Sequence, residues 1–254
     1  MARISKRRTS VQLAGGSMTT VVRIGDTVRR QMPAHADFVH DLLRHLALYD
    51  WPGAPRYLGP DEEGRETLSY LDGYVAWEAA QPPAIWSEAS LLRVTKLVKQ
   101  FHDLTAGTPL AGDGEVVCHN DLAPRNTVYR DDGSGLRPYA FIDWDLAAPG
   151  RRVHDVAHVC WQFLALGPKR TSPDGPARLI GMVADNYGLT TRDRGVLVET
   201  ILWWQDRCWR GIEAGADAGE EAMVRLRAAG AVQAVKAAYA WVEEHRGALS
   251  AALA

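Results

Sequence analysis

The feature of the sequence that most constrains its fold is a pair of motifs, HNDLAPRN at His119–Asn126 and FIDWD at Phe141–Asp145. Apolar residues lead into and out of the first motif, and the second is an apolar segment that reaches Asp143. A run of Asp, Gly and Ser between the motifs is typical of a hairpin turn. The pattern therefore predicts two antiparallel strands that bring Asp121, Asn126 and Asp143 to one end of a sheet.

The spacing H-x-D-x-x-x-x-N suits phosphoryl transfer. In that reaction an aspartate accepts or orients the proton of the attacking hydroxyl, and an asparagine holds a metal ion. Oxygen ligands from Asn126 and Asp143 would form a hard-cation site suited to Mg²⁺ that carries nucleotide phosphates. One such match can arise by chance on an ordinary loop, but the apolar strand that reaches Asp143 at the right distance favours the catalytic interpretation.

Together the two motifs resemble the aminoglycoside phosphotransferase and choline kinase branch of the kinase-like superfamily. The resemblance is strong over His119–Asp155 and weaker near the N-terminus. It implies an α+β, two-lobed protein-kinase-like fold. Residues 1–71 would form a nucleotide-binding N-lobe with a small antiparallel β-sheet. Residues 72–254 would form a mainly helical C-lobe that carries the catalytic hairpin and the substrate-binding helices.

The same resemblance implies a role for each residue of the motif pair. Asp121 would be the catalytic base, Asn126 and Asp143 the ligands of Mg²⁺, and His119 a structural member of the loop. The nucleotide would be ATP or GTP, and its γ-phosphoryl group would pass to a hydroxyl of a small molecule. Eukaryotic protein kinases carry a lysine two residues after the catalytic aspartate, where this chain has Ala123, and this departure argues against protein substrates.

Composition is compatible with this interpretation. The chain has 254 residues, enough to bury a large core, and a formal net charge of −2 without a basic stripe, which argues against nucleic-acid partners. The basic N-terminus is not followed by the apolar segment of a secretory signal, and no apolar run is long enough to predict a membrane span. We therefore expect a cytoplasmic protein with three reduced core thiols, which lack CxxC spacing: Cys118, Cys160 and Cys208.

The N-terminal residues alternate apolar segments with glycine-containing turns, a pattern that predicts a small antiparallel sheet. Gly15, Gly16 and Ser17 lie in the first of these turns. A glycine pair lets backbone N–H groups approach nucleotide phosphates closely. The position of this turn ahead of the catalytic motif, as in a kinase-like N-lobe, favours a phosphate-binding loop, and a plain hairpin turn is the alternative.

The third strand departs from the family pattern. Kinase-like enzymes usually carry a lysine there, which pairs with nucleotide phosphates and with a glutamate of the next helix. The candidates here are Arg29 and Arg30, and we favour Arg29 because it follows an apolar residue as the usual lysine does. The predicted helix over Asp37–Leu46 offers His40 or Asp41 near the position of the glutamate, and the sequence does not decide between them. Alternatively, both arginines only decorate an edge strand.

A strand predicted over Glu66–Leu71 corresponds by resemblance to the hinge between the lobes. Ser69, Tyr70 and Leu71 would then line the pocket of the purine base, although the sequence does not indicate which purine. A plain sheet strand is the alternative.

Asp145 follows Asp143 by two residues, which allows two roles. It would supply a second carboxylate near the metal, or it would only cap the turn.

The region after the second motif is predicted to be largely helical. Asp155 precedes an apolar segment and is predicted to be the N-cap of a helix over Val156–Phe163, whereas the matching aspartate of the family braces the catalytic loop. A long helix over Val196–Glu213, a glycine-containing turn over Ala214–Gly219 and a final helix over Val232–Leu249 follow.

Acidic residues recur at heptad spacing along the long helix, with a tryptophan beside them. By resemblance to antibiotic phosphotransferases, such groups would hold a cationic substrate. The candidate substrate contacts are Glu199, Trp203, Asp206 and Glu213, together with Asp145. A solvated helix face with Asp206 paired to Arg210 is the alternative, and the spacing favours it.

Three functions fit the sequence. The first is an enzyme that inactivates an antibiotic or a related cationic compound by phosphorylation. The second is a metabolic kinase of an amino alcohol or a sugar. The third is a non-catalytic binding or immunity protein on a kinase scaffold, which the altered N-lobe allows, whereas the intact Asp121, Asn126 and Asp143 favour an enzyme.

Overall fold

The computed structural model describes residues 10–12, 21–33, 35–78, 80–133 and 135–254. The candidate phosphate-loop residues Gly15, Gly16 and Ser17 lie outside these described residues. The described chain has the two-lobed kinase-like architecture that the motifs predict, with an antiparallel sheet at the N-terminal end and a mostly helical remainder.

The N-terminal sheet has five strands in the spatial order β1-β2-β3-β5-β4. All neighbours in it are antiparallel, and the register pairs Arg30 with Glu66 across β3 and β5. One helix, α1, connects β3 to β4. The bounds are β1 (Ser10–Gln12), β2 (Val22–Ile24), β3 (Thr27–Arg30), α1 (Ala36–Leu48), β4 (Tyr57–Pro60) and β5 (Glu66–Ser69).

The C-terminal region contains two further small sheets and seven helices of the described chain. Its strands are β6 (Tyr74–Val75), β7 (Val116–Cys118), β8 (Thr127–Asp131), β9 (Leu136–Phe141) and β10 (Ala148–Gly150). Its helices are α2 (Glu88–Thr105), α3 (Arg152–Phe163), α4 (Asp174–Tyr187), α5 (Thr191–Asp217), α6 (Glu221–Ala228), α7 (Ala231–Glu244) and α8 (Arg246–Ala251). None of the helices in the described part of the chain is long and apolar enough to cross a membrane.

The predicted catalytic hairpin is confirmed. Strands β8 and β9 are antiparallel, and their register runs from Thr127 opposite Phe141 to Asp131 opposite Leu136. The amide of Ile142 continues the ladder by donating to the carbonyl of Asn126 at 2.9 Å. The hairpin therefore brings the end of the first motif next to the strand of the second.

Helix α2 forms the platform beneath this hairpin. The hydroxyl of Ser87 caps its N-terminus by accepting from the amide of Ser90 at 3.1 Å. Apolar residues at helical spacing are buried along one face, and Phe101 lies at the centre of an aromatic cluster. Its ring centroid is 5.2 Å from that of Trp144 and 6.1 Å from that of Phe141. This contact fixes the second motif against the core.

Several predicted helix boundaries are wrong. Asp155 lies within the first turn of α3, and the N-cap is Arg151. Helix α5 begins at Thr191 instead of Val196 and continues to Asp217 through part of the predicted turn. The absence of a Cβ at Gly215 lets α6 pack closely, since a Cβ there would lie 2.7 Å from Cγ of Met223. The predicted final helix is interrupted at His245, which separates α7 from α8.

Candidate active site

The catalytic-loop aspartate is held by its own loop. Arg125 donates to Oδ1 of Asp121 at 2.8 Å, and Nδ2 of Asn126 donates to Oδ2 at 2.7 Å. About a quarter of the Asp121 side chain is exposed, and the Asn126 side chain is buried. The carboxylate is thus fixed in direction and still open to a solute, which is the geometry that a general base requires.

The asparagine and the aspartate of the second motif supply oxygen donors. Nδ2 of Asn126 donates both to Oδ2 and to the backbone carbonyl of Asp121, the latter at 2.9 Å, so the amide nitrogen is fully used within the loop. Asp143 has a left-handed backbone (φ 65°), and its side chain is half-exposed. Partial desolvation raises the pKa of Asp143 and the nearby Asp145 adds to the rise, while Arg30 opposes it. An amide oxygen and a carboxylate fit Mg²⁺.

The catalytic loop is braced from below by Asp155. Its carboxylate is fully buried and accepts from the backbone amides of His119 at 2.7 Å and Asn120 at 2.9 Å. His102 of α2 lies 3.0 Å from the same carboxylate and is held at its other ring nitrogen by Tyr187. Burial would raise the pKa of Asp155, but the hydrogen bond from His102 holds it below its ordinary value.

The loop histidine has no exposed surface. Nε2 of His119 lies 3.1 Å from the carbonyl of Ile142, and its ring centroid is 4.5 Å from that of Trp144. His119 thus ties the first motif to the second. Asn120, with φ 63°, donates from Nδ2 to the carbonyl of Leu146 at 2.9 Å and adds a second tie.

The two arginines of β3 have different surroundings. Arg30 pairs with Glu66 and Asp145 and lies 3.6 Å from Oδ1 of Asp143, whereas Arg29 pairs with Asp61 at 3.3 Å. Successive strand residues face opposite sides of a sheet, so only one of the two can face the carboxylates of the second motif. The structure brings Arg30 to Asp143 and leaves Arg29 outside.

Helix α1 presents His40 to the sheet. Nε2 of the buried His40 lies 2.8 Å from Oε2 of Glu66, which has no exposed surface. Asp41 is exposed and pairs with Arg44 at 2.8 Å. The partner of Arg30 is therefore a strand residue, Glu66, which sequence reasoning missed. The feature that could have pointed to this pair is a glutamate at the start of one predicted strand and an arginine at the end of another, which the structure places opposite each other in β5 and β3.

The hinge residues make most of their polar contacts within the N-terminal sheet region. Oγ of Ser69 accepts from the amide of Arg56 at 2.8 Å, and the Tyr70 amide donates to the carbonyl of Asp26 at 2.9 Å. The Tyr70 ring lies 3.6 Å beneath the guanidinium of Arg23. Leu71 is half-buried.

The acidic residues of α5 all have basic partners. Glu199 pairs with Arg246 at 3.0 Å, and Glu213 pairs with Lys236 at 2.8 Å. Asp206 pairs with Arg210 at 2.8 Å, as the helix-face alternative predicts. Trp203 is 45% exposed and stacks on His154, with ring centroids 5.3 Å apart. These neutralised carboxylates do not form an open acidic surface.

The fold and the spacing of the two motifs define a kinase-like phosphotransferase scaffold. Residues 11–197 match the model of the phosphotransferase enzyme family. This match spans more than half of the chain, and the chain belongs to that family.

A relative extends the comparison over the whole chain. The trifolitoxin immunity protein of Rhizobium leguminosarum bv. trifolii is 30% identical over 274 residues, which cover 95% of this chain and 98% of the relative.

Solved structures share the fold at low sequence identity. A choline/ethanolamine kinase family protein from Mesorhizobium loti has a TM-score of 0.59 and 15% identity, with 96% of this chain and 92% of that chain covered. The GDP and kanamycin complex of APH(2'')-IIIa has a TM-score of 0.58 and 13% identity, with 96% and 95% covered. The macrolide 2'-phosphotransferase of Brachybacterium faecium has a TM-score of 0.54 and 16% identity, with 88% and 92% covered.

Proposed function

We propose that the protein is a small-molecule O-phosphotransferase, which moves the γ-phosphoryl group of ATP or GTP to a hydroxyl of its substrate. The observation that carries this proposal is the partly exposed Asp121 carboxylate, held by Asn126 and Arg125 on a braced loop. A loop with only a structural role would not need a fixed and partly exposed carboxylate.

The proposal assigns a role to four residues of the candidate active site. Asp121 accepts or orients the proton of the attacking hydroxyl. Oδ1 of Asn126 and the carboxylate of Asp143 hold Mg²⁺, which supplies charge neutralisation to the phosphates when it is bound. Arg30, in place of our first candidate Arg29, steadies the phosphates, because its guanidinium lies beside Asp143 and remains charged at all working pH values.

The residues of the catalytic loop next to Asp121 favour a small molecule as the phosphoryl acceptor. Position 123, which is a lysine in eukaryotic protein kinases, is a buried alanine here. No cationic side chain therefore extends from this position of the loop toward the acceptor. Arg125, half-exposed and 2.8 Å from Asp121, is the cation nearest to the proposed base within the contacts described. We infer that it orients Asp121 and faces the transferred group. The candidate substrate contacts of α5 carry less weight, since Glu199, Asp206 and Glu213 are paired internally.

The relative named as an immunity protein supports a role in protection against a toxin. Protection by phosphorylation is our first proposal, and protection by binding alone is the second candidate. The observation that favours the second is the altered N-lobe, where Arg30 bridges Glu66 and Asp145 instead of a lysine pairing with a helix glutamate. A metabolic kinase of an amino alcohol or sugar is the remaining alternative.

Two assays with Asp121→Asn separate these functions. Purified protein is incubated with ATP or GTP, Mg²⁺ and a panel of hydroxyl compounds, and phosphorylated products are detected by mass spectrometry. We expect a product with the wild-type protein and none with the variant. In the second assay, both proteins are expressed in a toxin-sensitive host. Protection by the wild type alone supports catalysis, whereas equal protection by the variant supports binding. A stable wild-type protein that phosphorylates no compound in the panel and confers no protection contradicts both proposals for protection.

A further inference from the structure

The guanidinium of Arg30 has two differently occupied edges. Its Nε side faces inward and pairs with Glu66, whose second oxygen lies 2.8 Å from His40. Its outer edge binds Asp145 through both terminal nitrogens, with Nη1 at 2.9 Å from Oδ2. Glu66 has no exposed surface, whereas the Asp145 side chain is 34% exposed. The inner partner is therefore fixed by packing, and the outer partner is free to leave.

The outer edge of Arg30 is the part that a phosphate group would use. The two terminal nitrogens of a guanidinium form the same forked contact with a carboxylate as with a phosphate. Asp145 thus fills the position of an anionic ligand. The anchor through Glu66 and His40 keeps the guanidinium in place when this outer partner changes, because Nε does not take part in the exchange.

We propose that Asp145 is a positioning residue that occupies the outer edge of Arg30 in the nucleotide-free protein and is exchanged for nucleotide phosphate on binding. The inference rests on the proposed function, since it requires a nucleotide in this cleft. The released carboxylate lies two residues from Asp143, and neighbouring carboxylates favour a divalent cation. Phosphate would take the place of Asp145 on Arg30, and the released Asp145 carboxylate would become available to hold the cation, so that nucleotide and Mg²⁺ would strengthen each other's binding.

Isothermal titration calorimetry with ATP and GTP, in EDTA and in Mg²⁺, tests this exchange. The proteins are the wild type, Asp145→Asn, and the matched control Asp185→Asn, which removes the same charge from an exposed pair with Arg194. In EDTA, Asp145→Asn should bind nucleotide about tenfold more tightly than the wild type, the order expected when one charge-assisted competitor is removed. The gain on adding Mg²⁺ should shrink by a similar factor. The control should behave as the wild type, and adenosine and guanosine should not distinguish the three proteins.

The outcomes separate this inference from the function on which it rests. If the wild type binds nucleotide with Mg²⁺ and Asp145→Asn shows no tighter binding in EDTA, the exchange is refuted and the proposed function stands. If none of the three folded proteins binds nucleotide under any condition, the exchange and the phosphotransferase function both fail. An equal gain in Asp185→Asn would also overturn the exchange, because the effect would then be one of net charge.

Discussion

Replacing Asp155 by alanine should destabilise the protein severely, because this residue is buried and accepts several hydrogen bonds. The carboxylate is the shared acceptor for His102 and for the amides of His119 and Asn120, at 3.0, 2.7 and 2.9 Å. Removing it leaves these donors without their partner, and no water can replace the carboxylate easily because Asp155 is fully buried. The backbone of the catalytic loop loses its anchor at the same time.

The magnitude follows from the donors that are lost. One buried donor without a partner costs about 1–3 kcal/mol, and the loss of one member of a buried charged network costs about 3–5 kcal/mol. We therefore expect Asp155→Ala to lower the free energy of unfolding by about 4 kcal/mol. Asp155→Asn retains an acceptor oxygen and should lose less.

Urea unfolding followed by tryptophan fluorescence and circular dichroism measures this change. The control is Asp185→Ala, which breaks an exposed pair and should cost less than about 1 kcal/mol. Hydrogen exchange of the amides of His119 and Asn120 should also accelerate in Asp155→Ala at neutral pH. A loss below about 1 kcal/mol, with exchange unchanged, would refute the view that Asp155 braces the loop.

Three further predictions concern buried groups. Burial lowers the pKa of His102 and of His158, so the unfolded state takes up protons first as the pH falls, and the free energy of unfolding should decrease between about pH 7.5 and pH 5.5. Urea titrations at both pH values check this, and a flat profile would contradict it. Burial raises the pKa of Cys160 to about 12, so iodoacetamide should label it only in urea, as read by mass spectrometry; labelling of the native protein would be inconsistent with this burial. Glu66→Gln keeps an acceptor oxygen but removes the inner negative charge beside Arg30, which stays paired with Asp145, and should lower the free energy of unfolding by about 1–3 kcal/mol in urea titrations; unchanged stability would rule out the anchoring role.

The sequence was sufficient for those parts of the fold that local patterns determine. The hairpin of β8 and β9 follows from two apolar segments and the turn between them, and the family follows from the motif pair within it. In each of these, the signal and its consequence lie within a few residues of one another.

Local patterns could not predict which of the two arginines of β3 faces Asp143. Arg29 and Arg30 are adjacent, and a register change of one residue moves a side chain to the other face of the sheet. The preference for Arg29 relied on its apolar neighbour, whereas the structure turns Arg30 toward Asp143. Its partner Glu66 comes from a strand that is distant in sequence, and so no local pattern links the two.

Long-range pairing also explains the acidic residues of α5. Their heptad spacing correctly places them along one helix, but the partners of Glu199 and Glu213 are Arg246 and Lys236 on later helices. Only the pair of Asp206 with Arg210 is visible at helical spacing. A charge pattern within one helix therefore does not show whether the charges are free.

The central claim is that Asp121 performs chemistry in a cleft that binds nucleotide. It is tested most directly by measuring nucleotide affinity and γ-phosphate release together, for the wild type and for Asp121→Asn, with Mg²⁺ and either ATP or GTP. Water can serve as the acceptor. We predict that the variant retains nucleotide affinity within about twofold and loses release by about 100-fold or more, because the carboxylate acts on the hydroxyl and not on the nucleotide. Equal release by the two proteins, or loss of nucleotide binding along with release, would contradict the role proposed for Asp121.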